Sequence, residues 1–387
     1  MHILIAPNAF KNSLSAGEAA DAIALGLAAS RFSGTWTTCP VGDGGDGTAG
    51  LLARHSAGVR VAARVRDPLD REIDSHFALS GDGHTAVIEL ADASGLKLLD
   101  GRELQPMRAS TFGTGELIVG ALERGVQEIV LCLGGSATID GGSGILRALG
   151  FEFRDSQGNP LLTPASLSSL SHIDASNADS RLGACRFTVV CDVANPLLGE
   201  RGAARIFGPQ KGASGADVEH LERAMARYRE VVLLQTATDI AHVAHGGAAG
   251  GVAAGLFGLL DAELVDGIDY VLARIGFDAA LGPADLVITG EGSIDEQTAH
   301  GKGPWGVALR ARRRGVFVVG LAGQVPRIPN ALLNEAFDAL IPIAHRAMPL
   351  AEALSSTADD LRRTARELGN LLALGERRRT RSPVSGG

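Results

Sequence analysis

Apolar positions follow two rhythms along this chain. Short β-branched runs, the signature of buried strands, alternate with segments whose apolar residues recur every three to four positions, the signature of packed helices. HILIA (2–6) predicts a first strand. Ser15 and Glu18 form a capping box ahead of a helical stripe of Ala16, Ala19, Ala20, Ile23, Ala24 and Leu27. TWTTCPV (35–41) predicts a second strand, a glycine loop then leads into a helix to about residue 55, and VRVAARV (59–65) alternates as a third strand.

From residue 67 the texture changes to short strands at 73–79 and 85–90, a helix at 115–124, and the buried strands EIVLCL (128–133) and FTVVC (187–191). Alternating strand and helix returns with DLVIT (285–289), a helix at 301–313, VFVVGLA (316–322) and FDALIPI (337–343). A last long helix carries Leu350, Leu354, Leu361, Leu368 and Leu371 on one face. Such alternation implies parallel sheets covered by helices. The fold class is therefore α/β with two α/β domains. A Rossmann-like domain is expected from residues 1–66 with 282–387, and a second α/β domain, 67–281, is inserted into it.

Composition sharpens this picture at one point. Glycine accounts for 51 of 387 residues, against a usual ~7%, and pairs fall at 44–45, 134–135, 141–142, 246–247 and 250–251. Glycine serves where φ is positive or where a ligand approaches the main chain. Several such loops point to a ligand rich in acceptor oxygens, such as a nucleotide phosphate tail, or else to tight turns.

The net charge of −8 excludes a broad nucleic-acid surface. The arginines of the tail at 377–387 read as a solvated chain end. Four cysteines without CxxC spacing, and no basic leader, fit a cytoplasmic protein. Residues 240–260 carry no Asp, Glu, Lys or Arg but hold six glycines and two histidines, too little apolar content for a membrane span. A homodimer is compatible with the sequence, which does not set the oligomeric state.

Candidate chemistry sits in the loops that follow predicted strands. In VGDGGDGT (41–48), Gly42, Gly44 and Gly47 match GxGxxG literally, with Asp67 twenty residues on. Asp43 and Asp46 lie inside that fingerprint, where they repel a pyrophosphate unless a cation bridges them. Two carboxylates at this spacing suit Mg²⁺, which takes one or two carboxylates together with phosphate oxygens and water. Metal or substrate binding, dinucleotide binding and a capped turn all remain open for this loop.

GGSATIDGG (134–142) follows a buried strand and opens a helix, so Gly134, Gly135, Ser136 and Thr138 are candidates for an anion site. ITGEGSIDEQTAHGK (288–302) supplies Glu291, Asp295, Glu296 and Lys302. Asp192 ends a strand, Lys11 follows the first one, and Arg205 and Lys211 flank a Gly-Pro turn, with Lys211 the better phosphate contact. Histidines without HExxH spacing and serines without a GxSxG elbow argue against a zinc enzyme and a hydrolase.

Taken in order, FKNSLSA (10–16), GDGGDGT (42–48), STFGTGELI (110–118), LGGSATIDGG (133–142), CDVANPL (191–197), FGPQKGA (207–213), GGAAGG (246–251) and ITGEGSIDEQTAHGK (288–302) resemble the bacterial glycerate kinases that make 2-phosphoglycerate. The resemblance implies two α/β domains with the active site in the cleft between them, ATP as donor, Mg²⁺, and D-glycerate as acceptor. Four positions depart from the family pattern. Ile139 replaces a usual Asn, Asn8 an Asp, Asp46 a frequent Glu, and Ser293 an Arg. Ile139 removes a polar group from an expected substrate or phosphate loop.

Phosphoryl transfer needs positioning and charge neutralisation more than covalent help. Chemistry assigns Asp43 and Asp46 to Mg²⁺, directly or through water. The 134–138 loop cradles acceptor oxygens, Glu291 stands on the nucleotide side, and Lys11, Lys211 and Lys302 offset negative charge. Asp192 is the candidate base for the glycerate hydroxyl, with Asp295 in reserve. Two other classes stay open. One is an NAD-dependent dehydrogenase of a small hydroxy acid, using the literal GxGxxG, and the other a non-catalytic hydroxy-acid sensor.

Overall fold

The first apolar run forms β1 (His2–Ile5) in the computed structural model, which describes residues 1–295, 298, 302–328 and 330–381, main chain only from 376. Glu296 and residues 382–387 of the basic tail therefore lie outside the described residues. The chain divides into two units, Met1–Asp43 with Val271–Gly387, and Gly44–Tyr270.

The first unit is built on a five-stranded, wholly parallel sheet. Numbered along the chain, its strands are β1, β2 (Thr35–Thr38), β11 (Leu286–Ser293), β12 (Phe317–Gln324) and β13 (Ala339–Pro342), in the order β13-β12-β11-β1-β2. This is the flavodoxin-type doubly wound order, and strand succession reverses between β1 and β11. Ile3, Ile5, Ile288 and Leu321 pack with Ile23 and Leu27 of the helix Ala16–Ala28, whose capping box closes with both Ser15–Glu18 bonds.

The helix Leu350–Arg381 joins the same core through Leu361, Ala365 and Leu368. The expected leucine face is only partly right, because Leu350 and Leu371 are 74% and 64% exposed. A strict seven-residue spacing drifts around a 3.6-residue helix. The buried face is completed by Thr357, Asp360 and Thr364 instead.

The second unit holds a six-stranded sheet in the order β10-β9-β6-β5-β4-β3. Its strands are β3 (Val59–Arg66), β4 (Glu72–Leu79), β5 (Thr85–Glu89), β6 (Glu128–Cys132), β9 (Arg186–Cys191) and β10 (Glu263–Asp266). The β3-β4-β5 portion is an antiparallel meander and the rest is parallel. A separate antiparallel ribbon pairs β7 (Glu152–Arg154) with β8 (His172–Asp174).

The third sequence-predicted strand thus sits in the second unit, although it was expected in the first. All eight of its residues pair with β4, from Val59↔Leu79 to Arg66↔Glu72, so the chain leaves the first unit at Asp43 rather than at residue 66. It returns at Val271 rather than 282.

The apolar 240–260 segment becomes the helix Ala248–Leu260, with left-handed backbone at Ala249, Gly250 and Gly251. Among the described residues no helix is long and apolar enough to cross a membrane. All four cysteines are free; Cys132 and Cys191 are buried, Cys39 and Cys185 half-buried.

Candidate active site

In an open parallel sheet, ligands collect beyond the strand carboxyl ends where strand order reverses. In the first unit that place lies past β1 and β11, and five of the expected residues are there or next to it. Asn8 continues β1, and its amide N–H bonds Gly290 O at 2.8 Å. Its side-chain Nδ2 donates to Asp43 Oδ2 at 2.9 Å. The main-chain N–H of Gly303 donates to the same Asp43 oxygen at 3.3 Å. This explains Gly303, since a Cβ there would stand 2.7 Å from Asn8 Nδ2. It also gives a reason for Asn8, because a second carboxylate at this position would repel Asp43.

Glu291 ends the inward-facing run of β11 and is 8% exposed. Thr298 Oγ1 donates to its Oε1 at 3.0 Å. Burial, opposed by Lys302 and reinforced by Asp43 and Asp295, pushes the Glu291 carboxyl up to about 7. Asp295 accepts from Ser293 Oγ at 3.3 Å, while its main-chain N–H bonds Thr298 Oγ1 at 3.0 Å. Lys302 is the cap residue of the helix Gly303–Arg313. Lys11 is exposed, and its backbone runs beside Gly292 of β11.

In the second unit the register aligns Glu89 of β5 with Cys132 of β6, and Cys191 of β9 with Asp266 of β10. The loop from Gly134 and the exposed Asp192 therefore leave the same carboxyl edge. Lys211 is 2% exposed and reaches into that loop, donating to Ser136 Oγ and Thr138 O, both at 2.7 Å. Burial lowers its ammonium from 10.5 to about 7, against the pull of Asp140 and Asp192. Thr138 Oγ1 is buried with no hydrogen-bond partner among the described residues. Asp46 is exposed, with Lys97 Nζ at 4.0 Å; that lysine bonds Asp92 more tightly at 2.6 Å.

Three sequence expectations change here. The literal GxGxxG does not form a dinucleotide-binding turn, because β2 lies in one sheet and the helix Thr48–His55 belongs to the other unit. The start of that helix is also taken, since Ala49 N–H donates to Glu89 Oε1 at 2.8 Å. A buried carboxylate occupies the position a pyrophosphate would need.

The helix after the second glycine loop is likewise not open to an anion. It spans only Ser143–Ala148, and Asp140 accepts from the N–H groups of Gly142 and Gly144 and from the N–H and hydroxyl of Thr111. What remains for an anion in this loop is Lys211, Ser136 and Thr138. Asp140 is a functional residue beyond the sequence candidates, and its signal there is that of an Asp just ahead of a helix, a capping position. Lys97 gave no signal, because only folding brings it beside Asp46.

Two of the glycine pairs serve packing. A Cβ at Gly250 would stand 2.0 Å from Thr138 O, and one at Gly255 1.9 Å from Gly141 O. The loops 138–142 and 249–251 therefore need glycine to touch each other. Ile139 between them is fully buried in the apolar core, so its side chain serves packing. Arg205 is committed to Glu219 at 2.6 Å. Among the described residues no cluster of three or more His, Cys, Asp or Glu is arranged to hold a metal.

Comparison with known proteins places the chain among relatives of one family. The model of the glycerate kinase family matches residues 3–373. A glycerate kinase of Bacillus subtilis is 41% identical over 375 residues, covering 97% of this chain and 98% of that protein. The glycerate 2-kinase of Escherichia coli is 40% identical, covering 97% and 99%. A crystal structure from Salmonella typhimurium LT2, described as a glycerate kinase 2, superposes with a TM-score of 0.85 at 40% identity, over 97% of this chain and 99% of that one. An α/β fold built on parallel strands and near-complete coverage at this identity lead to one conclusion: the chain belongs to the glycerate kinase family and is an enzyme of the kinase class.

Proposed function

We propose that this enzyme transfers the γ-phosphoryl group of magnesium–ATP to the 2-hydroxyl of D-glycerate. The observation that carries the proposal is the family match from residue 3 to 373, which includes every loop assigned to the reaction.

The residues present fit both absent groups. Mg²⁺ takes one or two carboxylates and leaves its other positions to phosphate and water, so it needs no three-acid cluster. Asp43, oriented by Asn8 and the Gly303 amide, suits direct ligation. Asp46 competes with Lys97 and suits contact through water. The orphaned Thr138 hydroxyl and the depressed Lys211 ammonium, held against Ser136, suit an anionic oxygen, whose arrival would restore the lysine's charge. Magnesium–ATP supplies the phosphoryl group and screens its charge.

The chain's own residues then divide the work. Lys11, Lys211 and Lys302 offset negative charge, Gly134 and Gly135 let the backbone come close, and Glu291 holds Lys302 on the nucleotide side. Asp192, exposed at the end of β9, accepts the proton of the attacking hydroxyl; Asp295 is the alternative acceptor. Four free cysteines suit a reducing cytoplasm as the setting.

An ATP-consumption assay over a panel of small hydroxy acids, run beside an NADH-absorbance assay, tests the reading. Turnover with D-glycerate and ATP is expected. Nicotinamide-dependent oxidation without ATP use would overturn it.

A further inference from the structure

The STFG stretch at 110–113 plays no part in the proposed reaction, yet it carries an unusual concentration of positive charge. Two guanidinium groups lie over the Phe112 ring, Arg66 at 5.2 Å and Arg147 at 5.4 Å from its centre. Together with Arg108 they line a cavity of about 350 Å³ in the second unit, closed by Asp67, Asp70, Ser110 and Thr163.

The charges facing this cavity do not cancel. Asp67 is used by Arg71, whose Nε donates to it at 2.6 Å, and by the amides of Leu69 and Arg71. Asp70 pairs with Arg66 at 3.2 Å, and Arg66 also faces Glu116 at 3.9 Å. Among the described residues the Arg108 side chain has a long bond to Gln105 at 3.4 Å and no other. Arg147 donates to Ser110 Oγ at 3.2 Å, and its buried Nε has no partner among the described residues. Neither Arg108 nor Arg147 forms an ion pair among the described residues; Asp140 and Asp70 act on Arg147 through space, which leaves the Arg108 charge unpaired.

Two further features favour an anion. The eleven-residue helix Phe112–Leu122 begins at the cavity with no acid in its first turn, so its start carries partial positive charge, part of which is met by Asp140 through the Thr111 N–H. Ser110 Oγ accepts from both Arg147 and the Phe112 N–H, at 3.2 Å each, so its own proton is free to donate. Forked guanidinium donors, a hydroxyl and a helix start converging on one compact charge match a tetrahedral dianion better than two separated carboxylates.

We propose that this cavity is a second anion site, taking inorganic phosphate or the phosphate group of a small metabolite, and formed by none of the residues assigned to phosphoryl transfer. Arg108 is exposed, so its removal spares the core.

Isothermal titration of the full chain with inorganic phosphate, at constant ionic strength and with malonate as the dicarboxylate control, tests the proposal. Saturable phosphate binding should survive Lys11→Ala. Arg108→Ala should weaken it by roughly tenfold, the loss of one charge-assisted contact, and Arg108→Glu should abolish it. Turnover of Arg108→Ala in phosphate-free buffer should stay within about twofold of wild type, because no proposed reaction contact is touched. Phosphate binding that is absent, unchanged in Arg108→Ala, or weaker than malonate binding would overturn the proposal. So would collapse of turnover in Arg108→Ala, which would merge the cavity with the reaction site.

Discussion

Lys211→Met separates a lysine kept for chemistry from one kept for stability. Burial holds the ammonium at about 7 rather than 10.5. At about 1.4 kcal/mol per pH unit, holding this lysine costs the native state on the order of 5 kcal/mol below pH 7. Against this stand its bonds to Ser136 Oγ and Thr138 O, each contributing about 1.5–3 kcal/mol when the donor is charged. The two sides nearly cancel, so the apolar, similarly long methionine should change stability at pH 7 by no more than about 2 kcal/mol.

The balance depends on pH in a definite direction. Below pH 7 the lysine is charged in both states and the penalty is complete. Between 7 and 10.5 the native chain has released a proton that the unfolded chain still holds. Wild-type stability therefore rises relative to the variant across that window. Turnover should respond differently, because a preorganised charge on a transferring group is worth about 10²–10³ in rate. Urea unfolding at pH 7 and pH 9.5, paired with kcat, measures both effects. Loss of more than about 4 kcal/mol at pH 7, or a kcat within about tenfold of wild type, would refute the reasoning.

Three other substitutions probe neighbouring groups. Asp192→Asn should lower kcat by roughly 10²–10⁴ with nucleotide affinity little changed; a near-normal kcat would pass the proton to Asp295. Gly303→Ala should drive Asn8 away from Asp43 and weaken metal binding, so its activity should recover partly as Mg²⁺ is raised in a titration. Glu291 is neutral below about 7 and ionised above it, so kcat/KM should fall as pH drops through that value. In Glu291→Gln that acid limb should disappear from the pH profile.

Where local pattern decides the fold, the amino-acid sequence is enough to read it. Uninterrupted apolar runs such as EIVLC and FTVVC mark strands buried on both faces, and both are interior strands of their sheet. The capping box at Ser15 and Glu18 closes as its spacing implies. Strand partnership was not legible for VRVAARV, since alternation predicts a half-buried strand but says nothing of which sheet takes it. Its pairing with β4 moved the unit boundary by more than twenty residues.

Around the site, residues close to strand ends could be anticipated because α/β ligand sites gather there. The distinction between glycines that bind and glycines that pack could not, because Gly141, Gly250 and Gly255 are explained only by loops distant in sequence. The same holds for Glu89, which reaches the start of the helix Thr48–His55 from a different strand. A fingerprint read in one dimension cannot show that its amides are already taken.

The proposal's central claim is the bond that is formed. Phosphorus NMR of the product from D-glycerate, ATP and Mg²⁺ reads it directly, since the ester phosphorus couples to one proton when attached at carbon 2 and to two when attached at carbon 3. A doublet from the 2-phosphate ester is expected. A triplet from the 3-phosphate, or no ester signal with D-glycerate, would contradict it.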